Sequence, residues 1–261
     1  TVVAVAAPDA VNLTSTVGAI NDDAVNATVI NAATATLVAG TTIGAVGANG
    51  QIDTTVATLT ANAGNGSLFV GETDAITLQN VTAAGGANDV TVTSTTGDMT
   101  LVTVTAADQV SLTALAGSIL DDNVNATVVT AVTANFNTSA SVGAAGANGQ
   151  IDTTVGVLNA TTTSGNLFVG ETDAITLNNV SIGGAGNDVT VVNSAGDMTV
   201  VNVLAPDLVD LTATAGSIVD DGANGSVINA ANANLTAGTA IGATGANNEI
   251  DTTVGVLNVA A

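Results

Sequence analysis

Three pairs of adjacent aspartates, Asp22-Asp23, Asp121-Asp122 and Asp220-Asp221, recur 99 residues apart along the chain. Carboxylates so placed suit two kinds of chemistry. Calcium, a hard ion, gathers several oxygen ligands from carboxylates, carbonyls and water. Paired acids on either side of a sugar linkage hydrolyse it. These six aspartates are therefore the candidate metal ligands, and calcium the candidate cofactor. The hydrolytic reading fails on company: the sequence has no Lys, Arg, His or Cys, so acid/base, covalent and phosphate-clamping chemistry lack their usual side chains.

A catalytic centre is needed once, whereas these acids recur. Asp53, Asp152 and Asp251 keep the same phase, as do Glu72 and Glu171, Asp74 and Asp173, Asp98 and Asp197, and Asp9, Asp108 and Asp207. Repetition in every unit points to architecture: acids at the corners of a repeating scaffold, keeping it soluble and discouraging lateral aggregation. No catalytic residue is assigned and the chain is read as non-enzymatic.

Charge also restricts the partners. With 22 carboxylates against no basic side chain, the net charge of −22 repels nucleic acids and anionic lipid surfaces. No apolar run approaches the roughly 20 residues of a membrane-spanning helix. High charge with 1% aromatics would suggest disorder, but 46% of the chain is apolar, and its Val, Ile, Leu and Ala alternate with Thr, Asn and Ser. That alternation is a β signature.

The elements that position the acids follow from the repeat itself. "IDTTV" occurs at residues 52–56, 151–155 and 250–254; "LFVGETDAITL" begins at Leu68 and again at Leu167; "GSILDD" from Gly117 becomes "GSIVDD" from Gly216 and "GAINDD" from Gly18. The copies run approximately 1–51 (partial), 52–150, 151–249 and 250–261 (partial), within one continuous unit spanning 1–261. Each full copy divides at turn-like punctuation into four segments of 23 to 28 residues, too short for domains and the right size for coils. The expected fold is all-β: a parallel β-solenoid of about ten to eleven coils in a 99-residue, four-coil super-repeat. Three β-sandwiches in a row would want aromatic cores and linkers, which this composition lacks.

In such a coil, Val, Ile and Leu stack inward, and Thr, Asn and Ser face out. Corners are expected at "GANG", "NAGNG", "GGAND" and "TSTTGD". Phe69 and Phe168, at the same phase, are expected to form part of an internal stack. Equivalent aspartate pairs would lie four coils, or roughly 19 Å, apart along the axis.

Stretches such as "QVSLTALAGSI" from Gln109 and "VDLTATAGSI" from Val209 resemble the repeats of filamentous-haemagglutinin-like giant exoproteins, a family of secreted adhesins. The resemblance implies a right-handed parallel β-helix forming an extracellular or cell-surface fibre. Partners would be further copies of the repeat along the fibre, with lateral self-association, and a glycan or host surface for an adhesive role. The lack of tryptic sites suits an extracellular setting. Ten Asn-x-Ser/Thr sequons, among them Asn26, Asn125, Asn224, Asn80 and Asn179, permit glycosylation. Thr1 without a preceding Met, and Ala261 in mid-coil, give the expectation of a window on a longer repetitive polypeptide.

Overall fold

In the computed structural model, which describes residues 1–26, 29–126, 128–223, 225, 227–245 and 247–261, the chain is a parallel β-solenoid of about 11 turns. Twenty-two strands and no helix occur among the described residues, and every registered strand pair is parallel. At about 4.8 Å per rung the rod is on the order of 50 Å long.

Most turns contain three strand segments, each lying over its counterpart one turn earlier. Val70, for example, is followed upward by Val92, Leu112, Phe136 and Ala160. All five are buried, and the apolar core runs unbroken from Val11 to Ala237. Burying a Val or Leu completely contributes roughly 1.5–3 kcal/mol, so the column is the main stabilising element of each face. Outside, asparagines form a second column: Asn159 Nδ2 donates to Asn135 Oδ1 at 2.9 Å, and Asn178 Nδ2 to Asn159 Oδ1 at 2.8 Å. Such pairs couple successive turns on the wet side of the sheet.

The corners are tight stacks. A Cβ on Gly117 would collide with the carbonyl of Gly97 in the turn below, which is why "AGSI" requires glycine there. "GANG" stands between two ladders, as a corner does. Residues 44–51 form an excursion between the ladders of Ile43 and Ile52, closed by the Ala45 N–H donating to the Gly50 carbonyl (2.6 Å) and the Gly50 N–H to the Gly47 carbonyl (2.8 Å). Ile43 and Ile52, on either side of it, both lie under the next turn.

Each copy holds four full turns and a remainder. From Val70 four turns end at Ala160; nine residues further on stands Val169, the equivalent of Val70, on the following face. The ladder from Ile52 through Val70, Val92, Leu112, Phe136, Ala160, Val180, Val203 and Ile228 reaches Thr252, beside the equivalent of Ile52 two copies on, after nine turns. One copy is thus four and a half turns. The expected spacing of four coils between equivalent acids is corrected accordingly: one copy apart they lie on opposite sides of the rod.

Candidate functional site

The extra half-turn arises where "IDTTV" meets "LFVGETD". The two motifs are in direct register: Ile52 pairs with Val70, Asp53 with Gly71 and Thr54 with Glu72, and the same triplet recurs as Ile151–Val169, Asp152–Gly170 and Thr153–Glu171. Their recurrence together has a physical cause, because each is the other's neighbour across the ladder.

Two ladders fuse at this joint and one divides. The strand Leu68–Glu72 lies over Ile43 with its first residue and over Ile52–Thr54 with its last three, so two faces below become one above. Beside it the remainder of Ile52–Ala63 supports Ile76–Ala83 through a register shift after Leu59 that leaves Gln79 as an extra residue. A bulge of this kind bends a strand. The halves of Ile76–Ala83 then carry separate ladders, Met99–Leu101 and Thr103–Ala106. In the second copy the same bulge falls at Asn178.

Glu72 closes the seam. Where the ladder passes from one strand to the next, the N–H of Val56 has no strand above it, and an unmatched buried N–H is costly. The Glu72 carboxylate, 1% exposed, accepts that N–H at 3.2 Å, together with the Thr54 hydroxyl at 2.6 Å and the N–H groups of Thr73 and Asp74 at 2.9 and 3.3 Å. Glu171 repeats the set with Thr153, Val155, Thr172 and Asp173. Burial outweighs these bonds and pushes both glutamates up to about 7. The acids expected at solvent-facing corners are here inside the wall: parity along Leu68–Glu72 turns Glu72 the same way as Leu68 and Val70.

Phe69 and Phe168 are corrected by the same parity. Both are half-exposed on the outer surface, opposite Thr91 and Thr190; Phe136 is the aromatic ring in the core. Nor is the interior purely aliphatic. Thr54, Glu72 and Ser94 form a buried polar column, matched by Thr153, Glu171 and Asn193.

Outside each joint lies a recess of about 320 Å³ in the first copy and 380 Å³ in the second, with equivalent linings that include Gln51, Asp53 and Thr73, or Gln150, Asp152 and Thr172. Gly71 makes the room: a Cβ there would lie 3.0 Å from both Asp53 Oδ1 and Gln51 Oε1. Desolvation, then repulsion from Asp22 and Asp23, pushes Asp53 up to about 6; Asp152 is raised by burial and by Asp121 and Asp122. Comparison with known families, curated proteins and solved structures finds no match. The joint is therefore read from its own geometry.

The paired aspartates form consecutive turns that accept their own backbone. Asp22 Oδ2 accepts the Ala24 N–H at 2.8 Å and Asp23 Oδ1 the Val25 N–H at 3.0 Å; Asp121 and Asp122 serve Asn123 and Val124, and Asp220 and Asp221 serve Gly222 and Ala223. The residue after each pair takes a left-handed conformation: Ala24 at φ 65°, Asn123 at 63°, Gly222 at 78°. Asp and Asn side chains favour such turns. Among the described residues no group of three acidic side chains converges as a metal cage. The sequon asparagines Asn26, Asn125, Asn80 and Asn179 are exposed, while Asn224 lies outside the described residues.

Proposed function

We propose that this chain is a structural, non-enzymatic segment of an extracellular or cell-surface fibre, a stiff stalk of the kind its filamentous-haemagglutinin-like repeats suggest. The observation that supports this most is continuity. One core and one set of parallel ladders pass through every joint, and where the ladders change face a buried glutamate matches the backbone donors that would otherwise be stranded. A rod without a weak seam transmits load and holds distance. An adhesive role would place further copies of the repeat along the fibre and a glycan or host surface at its exposed faces.

Electron microscopy of the native material tests this, with the intact polypeptide mass measured on the same preparation. Thin rods on a polypeptide far heavier than 24.8 kDa support the stalk. Compact particles with no axial repeat would sink it.

A second reading, a calcium-dependent matrix module, is favoured by one observation: Asp22 Oδ1, Asp53 Oδ2 and Asp220 Oδ1 are buried oxygens without a hydrogen-bond partner. A carboxylate oxygen left so is unfavourable unless a cation or water satisfies it. On this reading Asp22, Asp23, Asp121, Asp122, Asp220 and Asp221 would supply ligands beside Asp53 and Asp152. Rods that fall apart in a chelator and re-form with calcium support it; a melting temperature indifferent to both retires it.

A further inference from the structure

The recess outside each joint is a notch in a column of outward-facing positions. Asp53, Gly71 and Thr93 stand one above another in register, and so do Asp152, Gly170 and Val192. With no side chain on the middle residue, the wall is hollow there by the depth of one side chain. At about 320 Å³ the first recess is at the small end of ligand sites, which run from roughly 300 to 1,000 Å³.

Its chemistry is that of acceptors. Asp53 Oδ1 and Gln51 Oε1 each lie 3.0 Å from the point where a Cβ of Gly71 would stand, so the two oxygens converge on one place. Asp152 Oδ1 and Gln150 Oε1 converge over Gly170 in the same way, at 2.8 and 3.2 Å. In both copies the amide turns its oxygen, not its nitrogen, to the place that the carboxylate faces. Desolvation, then repulsion from Asp22 and Asp23, disfavours the charge on Asp53, and the sequence has no Lys or Arg to balance the three acids. A group that fits must therefore bring positive charge and several N–H donors. It must also suit apolar walls, because Ala48 and Leu115 are part of the lining. No aromatic side chain is among the described residues lining either recess, so a sugar ring has nothing to stack on. Nor do three acids converge among the described residues to cage a metal.

We propose that the recess over Gly71, and its second copy over Gly170, bind a primary alkylammonium group. The ammonium donates to the carboxylate and to the amide oxygen, both charge-assisted bonds of the stronger kind. In the first recess the Thr93 hydroxyl accepts the third N–H, and the alkyl stem leaves along Leu115. The second recess is the weaker, since Val192 replaces Thr93 and Thr214 stands at the position of Leu115. Such a group ends a free polyamine or a lysine side chain of a partner protein. The two recesses face opposite sides of the rod, so each is filled independently.

The test titrates the whole isotope-labelled chain with butylammonium chloride at constant ionic strength and follows its amide resonances. The expected result is saturable shifts at Gln51, Asp53, Gly71 and Thr93, with weaker binding at Gln150, Asp152, Gly170 and Val192. Tetramethylammonium, which has the same charge and no N–H, should bind at least about tenfold more weakly. Gly71→Ala should abolish binding at the first recess and spare the second; its Cβ would meet side-chain ends rather than backbone, so the fold is kept. Asp53→Asn preserves the shape and should weaken the first recess at least about tenfold. Thr93→Val should bring the first recess towards the second. Diaminobutane and Nα-acetyl-lysine amide, titrated in parallel, separate the two sources, the tighter binder marking a free polyamine or a polypeptide side chain. Equal binding of butylammonium and tetramethylammonium, shifts spread over every acid-bearing loop, or unchanged affinity in Gly71→Ala or Asp53→Asn would each overturn the proposal.

Discussion

The wall of the rod and its joints solve the same problem with opposite chemistry. In the wall, Val92, Leu112 and Phe136 stack with their backbones matched by strands above and below. At a joint the ladder changes face, the strand above runs out, and a carboxylate takes over the backbone's role. The wall is forgiving, because any apolar residue of similar volume keeps it dry. The joint is not, because its donors need one acceptor at one place.

The largest expected effect comes from Glu72→Leu or Glu171→Leu. Each should destabilise the chain by about 3–5 kcal/mol, since the hydroxyl and N–H donors left behind stay buried without an acceptor. Val92→Ala in the wall, a loss of two methyl groups, should cost roughly half as much by denaturant melts. If the two substitutions prove equal, the joint has no special status.

A middle-sized effect is expected from pH. Glu72 and Glu171 move from 4.5 to about 7 on folding, and Asp53 from 3.8 to about 6. The folded chain therefore holds protons that the unfolded chain has released. Their contribution is complete below about pH 4.5 and declines as pH rises towards 7, so the melting temperature should fall across that window. The double variant Glu72→Gln, Glu171→Gln should flatten the slope in a thermal scan at several pH values, leaving the smaller share due to Asp53, Asp152 and Asp210. A slope unchanged in that variant would place the titration elsewhere.

The smallest effect separates the two joints from each other. Ser94 in the first donates to the carbonyls of Asp74 and Thr96 at 2.8 and 3.0 Å. Asn193 in the second donates through Nδ2 to Gly196 at 3.0 Å but keeps Oδ1 buried without a hydrogen-bond partner. Asn193→Ser should remove that burden and stabilise by about 1 kcal/mol, read as a shift in denaturant midpoint at constant slope. A loss of stability would mean that the larger side chain contributes more by filling space.

The solenoid was legible because its determinants are periodic. Alternation gives strands, Gly and Asn clusters give most turns, and a 99-residue repeat gives stacking. Parity was the signal left unused at the joint. Glu72 shares it with Leu68 and Val70, and Phe69 does not, so the motif alone implies a buried acid and an outward ring. Charge and hydrophobicity argue the other way for those two residues, and register overrode both. The partnership of "IDTTV" with "LFVGE" was out of reach for a different reason. It depends on which ladders fuse, a property of three successive turns that no single segment contains.

The half-turn left over in each copy gives this protein a built-in screw. Adding one 99-residue unit would lengthen the rod by about 22 Å at the usual rung spacing and turn everything beyond it by about half a revolution. Two units restore the heading. A lineage that varies its copy number one unit at a time therefore points its distal surface to opposite sides in turn, whereas a change in twos alters reach alone.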